Sequence, residues 1–135
     1  MANTKRGEVE VELNGEPITL RPDFNALCEI EGRSGLTISE LGARALTGRL
    51  GLFHVALIIW AGHRAVVGIE KSPSLQEIGG WVVEAGYSSF LVADDSGTET
   101  AVGLTKFLEY ALGWTGDEDD EKKSGEAAET PPATG

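Results

Sequence analysis

Two histidines, one cysteine and a few glycine-rich or acidic runs are the residues whose types could do chemistry. His54 and His63 stand nine residues apart. They match neither a His-x3-His ligand pair nor the His-Glu-x-x-His zinc motif, and a capping or core-edge role fits them better. Cys28 falls at helical spacing from Phe24 and Leu27. On that stripe it is expected as a buried, inert thiol, because a reactive one needs an accessible, electropositive setting. One cysteine also excludes an intramolecular disulfide framework and a cysteine-based zinc site.

Gly32-Arg-Ser-Gly35 lacks the spacing of a phosphate-binding loop and follows a helical pattern rather than a strand, so it reads as a helix stop. Gly86-Tyr-Ser-Ser-Phe90 misses the Gly-x-Ser-x-Gly elbow at its last position. Asp94-Asp-Ser-Gly-Thr-Glu99 lacks the sixth-position glycine of a calcium loop. Glu29 and Glu31 are two apart and diverge on a helix. No nucleophile, base and oxyanion stabiliser can be assembled from these parts, so neither catalysis, a metal nor a cofactor is expected.

Binding residues are easier to find. Glu8, Glu10 and Glu12 share one face of an alternating segment: a solvated face that discourages edge pairing, or a docking stripe for a basic partner. Trp60, Trp81 and Trp114 are three large anchors in a short chain. Trp60 sits in the most apolar segment and is expected in the core. Trp81 follows Gly79-Gly80, where another backbone could approach, and Trp114 precedes a polar tail. These two either mark a partner surface on the last two helices or close the domain's own core.

The elements that position these residues follow from periodicity. Val9, Val11 and Leu13 alternate with Glu8, Glu10 and Glu12, and Ile18 and Leu20 repeat the alternation beyond Asn14-Gly15. That dipeptide suits a hairpin turn whose central residues both need positive φ. Pro17 cannot donate a ladder bond, so it belongs at an edge or a strand start. From Asp23 the period becomes helical, with Phe24, Leu27 and Cys28 inward. Thr37-Ile-Ser-Glu40 opens a second helix as a capping box, with Leu41, Ala45 and Leu46 inward. Residues 52–67 form a third helix, uncharged over 55–61 and therefore central. Ser72-Pro73 restarts the chain as cap and first helical residue, with Leu75, Ile78, Val82 and Ala85 inward. Residues 87–93 are ambiguous between helical and extended. Thr98 opens a last helix with Leu104, Leu108, Ala111 and Leu112 inward. The fold expected is mainly α with an N-terminal β-hairpin (α+β), the hairpin packed on a bundle of four to five helices.

The chain has 135 residues, room for one domain with a sizeable core. Residues 1–6 read as a flexible N-terminus, 7–115 as the globular unit and 116–135 as a disordered acidic tail. Residues 117–135 carry seven acids against two lysines and nothing more apolar than Ala and Pro, too little to offset ordering entropy. The formal net charge of −11 argues against nucleic acid as partner and against a basic membrane anchor. The apolar window 52–60 is far short of the roughly 20 residues that span a bilayer, and no leader pattern opens the sequence, so a cytoplasmic protein is expected.

Asn3-Thr-Lys-Arg-Gly-Glu-Val-Glu-Val, Leu13-Asn-Gly, Ile18-Thr-Leu-Arg-Pro and Phe24-Asn-Ala-Leu-Cys-Glu-Ile-Glu resemble one family. It is the small tail-region protein of gene transfer agents and related siphophage-like prophages, described both as a phage tail tube protein and as a tail assembly chaperone. The resemblance is specific over residues 3–35 and looser through Leu41, Leu46 and Trp60-Ala-Gly to about residue 115. Tube subunits of long flexible tails are, as a class, β-sandwiches or barrels that stack as rings, whereas tail assembly chaperones are largely helical. One hairpin followed by helices fits the chaperone. The resemblance then implies a noncatalytic protein that coats the tape measure protein, helps recruit major tail protein subunits and self-associates, with the open edge of the hairpin as one route. A structural tail tube or connector subunit is the alternative.

Overall fold

The computed structural model describes residues 7–91 and 99–113, with side chains in the last helix from Gly103 onward. A two-stranded antiparallel hairpin, β1 (Val9–Leu13) and β2 (Glu16–Leu20), is followed by α1 (Phe24–Ser34), α2 (Ile38–Leu46), α3 (Leu52–Val67), α4 (Leu75–Ala85), a short 3-10 turn (Tyr87–Phe90) and α5 (Glu99–Ala111). The expected mainly α, hairpin-plus-helices architecture is thus the one observed. Residues 1–6, the Asp94–Gly97 turn with its Thr98 cap, Trp114 and the acidic tail lie outside the described residues.

Asn14 and Gly15 both take positive φ, 56° and 78°, and the pairing runs from Leu13 opposite Glu16 to Val9 opposite Leu20. In a two-residue hairpin this register makes Leu13–Glu16, Val11–Ile18 and Val9–Leu20 the hydrogen-bonded pairs. The backbone polar groups of Glu10, Glu12, Pro17 and Thr19 therefore point to the outer edges. Val9, Val11, Leu13, Ile18 and Leu20 face the core, while Glu10, Glu12, Glu16 and Pro17 are exposed.

Two helices lie over those edges. β1 packs on α5 and β2 on α3. A Cβ on Gly103 of α5 would stand 2.8 Å from the Glu10 carbonyl oxygen, so only a glycine lets this helix come so close to the edge of β1. A Cβ on Gly62 of α3 would stand 2.8 Å from Leu20 Cβ and 3.0 Å from Phe107 Cε1. Beside it the Arg21 N–H donates to the Gly62 carbonyl at 3.0 Å, and the His63 ring Nδ1 lies 3.3 Å from the outward Thr19 carbonyl. The hairpin edge expected to be open is therefore partly covered. It is covered at Glu10 and Thr19 and blunted by Pro17, devices that discourage onward strand pairing.

The central helix behaves as its composition requires: every residue of α3 from Val55 to Gly62 is buried. Around it Ile30, Leu41, Ile78, Val82, Leu104, Phe107 and Leu108 complete one core. Thr37 and Glu40 form the expected capping box on α2.

Other expectations are corrected. Phe24 is 78 % exposed and Cys28 is exposed, because α1 buries the stripe of Ala26 and Ile30, which shares Leu27 with the stripe read from sequence and otherwise lies opposite it. Leu46 is 52 % exposed rather than inward, since α2 turns Ile38, Leu41, Gly42 and Ala45 to the core. The cap of α4 is Ser74, not Ser72. Ser74 and Glu77 exchange reciprocal hydrogen bonds, while the Ser72 hydroxyl donates to the Ile69 carbonyl.

Gly80 is exposed within α4, and a Cβ there would meet nothing within 4 Å. Gly80→Ala should raise stability by about 0.5–1 kcal/mol through helix propensity alone. A urea midpoint unchanged or lowered would show that the glycine is needed for something other than the fold.

Candidate partner-binding surfaces

Glu8 leaves the acidic stripe. It is 5 % exposed, immediately before β1, and its carboxylate accepts from Arg21 Nε at 2.8 Å. Arg21 in turn donates from its terminal nitrogen to the Ala65 carbonyl of α3 at 3.0 Å. The stripe fails at Glu8 because the strand start is pinned under the turn into α1, where an arginine two residues before the Asp23 cap closes over it. Glu10 and Glu12 remain exposed on the outer face of β1. They are what is left of the expected acidic stripe.

Trp81 is half-buried and packs against the core. The glycines before it do not admit another backbone among the described residues: Gly79 meets Ala56 Cβ at an ordinary 3.9 Å, and Gly80 faces open space. The surface predicted from Trp81 and Trp114 therefore cannot be assembled from the described residues, Trp114 lying outside them.

Trp60 is in the core, 7 % exposed, with two cations stacked on it. The guanidinium carbons of Arg33 and Arg64 lie 4.8 Å and 4.6 Å from its ring centroid. Arg64 is four residues from Trp60 on the same helix, a spacing visible in the sequence. Arg33 comes from α1 and is held by Glu29 at 2.8 Å. Glu29, Arg33 and Arg64 line one side of a groove of about 890 Å3 between α1 and the end of α3, floored by Ala61 and Ala65 and edged by Ile69, which is 71 % exposed.

A second surface lies where α2 meets α3. Leu46, Leu52 and Phe53 are 52 %, 41 % and 47 % exposed there, beside the exposed Arg44 and Arg49. Sequence reasoning missed both surfaces. Neither depends on a motif, only on which apolar residues are left over once the core is filled.

Both histidines have structural places. His54 Nδ1 accepts the Gly51 N–H at 3.4 Å and caps α3, and His63 sits at the hairpin edge. Burial, with the Arg44 charge as the second cause, holds the His54 imidazole below its ordinary value of 6.5. A depressed imidazole resists the proton in the folded state, whereas the unfolded chain takes it up near 6.5, so stability is lost as pH falls below that value. The stability difference between wild type and His54→Ala should accordingly narrow from pH 7.5 to 5.5, read by thermal melts. A constant difference would mean that the cap does not depend on the neutral ring. Among the described residues no three His, Cys, Asp or Glu gather to hold a metal ion, and no helix is long and apolar enough to cross a membrane.

The hairpin, the arginine-flanked groove and the α2–α3 corner lie almost entirely between the start of β1 and the end of α3, and so does the similarity to known proteins. Residues 6–67 match the family described as phage tail tube protein, GTA-gp10. The resemblance read from the opening residues is thereby shown, and the match to this phage tail family runs from the start of the hairpin to the end of α3. No curated protein and no solved structure matches the chain. α4, the 3-10 turn and α5 lie beyond the matched residues, although α5 supplies Gly103 and Phe107 to the packing of the matched segment.

Proposed function

We propose that this protein acts in the morphogenesis of a phage-like tail as a noncatalytic assembly chaperone. It binds the tape measure protein and helps recruit major tail protein subunits. The family match supports the tail context. The observation that favours chaperone over tube subunit is the fold: one two-stranded hairpin with both edges approached by helices, then five helices among the described residues. A ring-forming β subunit needs strands that can pair onward, and these edges are occupied at Glu10 and Thr19.

Coating an amphipathic helical partner requires exposed apolar surface on a well-solvated protein. Phe24 and Ile69 beside the α1–α3 groove, and Leu46, Leu52 and Phe53 at the corner, supply it, with a net charge of −11 to hold the complex in solution. Glu10, Glu12 and Trp81 are the further contacts carried over from the sequence reading. In this reading residues 7–115 work as one domain, residues 116–135 are an acidic tail that solvates the complex while the partner is bound, copies self-associate through side-chain surfaces rather than strand pairing, and the protein works in the host cytoplasm while particles are assembled. Neither nucleic acid nor a membrane is a partner.

Quantitative mass spectrometry of purified particles against lysate tests this. A protein plentiful in lysate and missing from particles acts transiently, as a chaperone does. Amounts comparable to the main tail protein would make it a structural tube or connector subunit, and the argument from helices would fail.

A further inference from the structure

The α2–α3 corner is apolar and basic at once, and the segment that leaves α5 beside it is aromatic and acidic. Leu46, Leu52 and Phe53 stand out into solvent there, and the Arg49 N–H donates to the Arg44 carbonyl at 2.7 Å, which brackets the two arginines on one turn. Neither guanidinium makes an ion pair among the described residues.

α5 delivers the chain to this place. Leu112 Cδ1 lies 3.1 Å from the position of a Cβ on Gly42, so the end of α5 rests on α2 one helical turn, about 6 Å along the axis, before Leu46. After Gly113 come Trp114 and then Asp117-Glu-Asp-Asp-Glu121. Four residues of extended chain reach about 13 Å, enough to carry the first acids past α2 toward Arg44 and Arg49.

We propose that residues 114–121 fold back onto the α2–α3 corner, Trp114 covering Leu46, Leu52 and Phe53 and the acidic run facing Arg44 and Arg49. The occupant is a segment of this chain because its composition complements the patch on both counts and its point of departure is one turn away. Single exposed ion pairs are weak, but a tether this short holds the segment at an effective concentration in the millimolar range, so a weak contact suffices. The contact masks an apolar surface while no partner is bound, and it does not rest on the tail-morphogenesis reading.

The test uses the full-length, isotope-labelled chain and its amide NMR spectrum. Trp114→Ala, the five-fold neutralisation of residues 117–121 to Asn and Gln, and Arg44→Glu with Arg49→Glu are compared with wild type. All three should shift the same amides between residues 44 and 53, and Trp114→Ala should increase binding of an apolar dye about two-fold or more. Raising salt from about 0.05 M to about 0.5 M should move the wild-type spectrum toward that of the neutralised variant, because the pairs are exposed. Unchanged amides over 44–53 in Trp114→Ala and in the neutralised chain would overturn the proposal. So would shifts that vanish on about tenfold dilution, which would make a second copy the occupant.

Discussion

Gly103→Ala should destabilise the protein by about 2–3 kcal/mol, although alanine is the better helix former by about 1 kcal/mol. The added Cβ would stand 2.8 Å from the Glu10 carbonyl oxygen and 3.2 Å from Val11 Cγ1. The first of these is backbone in a paired strand and cannot rotate away, so α5 must lift from β1. Gly62→Ala should cost about as much, because Leu20 Cβ at 2.8 Å is equally fixed to its strand. Urea unfolding of both variants beside Gly80→Ala checks this, since the third has the same chemistry with no neighbour. Equal midpoints for all three would mean that the helices do not cross the hairpin at glycine. Phe107 offers a cross-check. Its ring lies 3.0 Å from the Gly62 Cβ position but comes no nearer than 3.7 Å to the Gly103 one, so Phe107→Leu should relieve part of the Gly62→Ala penalty and little of the Gly103→Ala penalty.

Arg21→Ala should cost about 3 kcal/mol, well above the usual surface arginine. It removes the guanidinium from the Glu8 carboxylate, which is 5 % exposed, and it leaves the Ala65 carbonyl without the Arg21 donor. Arg21 itself is about a quarter exposed, so water relieves part of the loss, and the figure stays at the lower end for a broken buried pair. Arg21→Lys should recover less than half of it, because one ammonium cannot reproduce a fork that reaches the carboxylate and the carbonyl together. Glu8→Gln should cost only about 1 kcal/mol, since the amide oxygen can still accept from Nε. A loss below about 0.5 kcal/mol in Arg21→Ala would place this pair with ordinary surface bridges. Both predictions concern the attachment of the hairpin to α3 and α5.

Some features were legible because they are local. The Asn14-Gly15 turn follows from two residues that tolerate positive φ, and the Thr37–Glu40 box from a hydroxyl and a carboxylate three residues apart. The burial of α3 follows from seven consecutive uncharged residues, and the similarity to a phage tail family from a run of residues at the hairpin and α1. His54 as a cap was readable in the same way, since its partner Gly51 is three residues away.

What the sequence alone could not decide was which of two compatible faces, or two compatible caps, the fold would use. Phe24–Leu27–Cys28 and Ala26–Leu27–Ile30 are equally good helical stripes, and only the docking of α1 on α3 buried the second and left Cys28 in solvent. Glu8 alternates with Val9 as regularly as Glu10 does, yet an arginine 13 residues later draws it inside. The hairpin edges looked open because strand pattern carries no information about what crosses it. The glycines at 62 and 103 mark the crossings, but a helical glycine reads as a weak point until the strand beneath it is known. The candidate surfaces have the same origin: Leu46, Leu52, Phe53 and Ile69 are ordinary core-type residues that became surface only when the core closed without them. Periodicity and capping act over three or four residues and are written into the chain. The choice of buried face is a competition among all the elements for one interior, settled by the contacts between them.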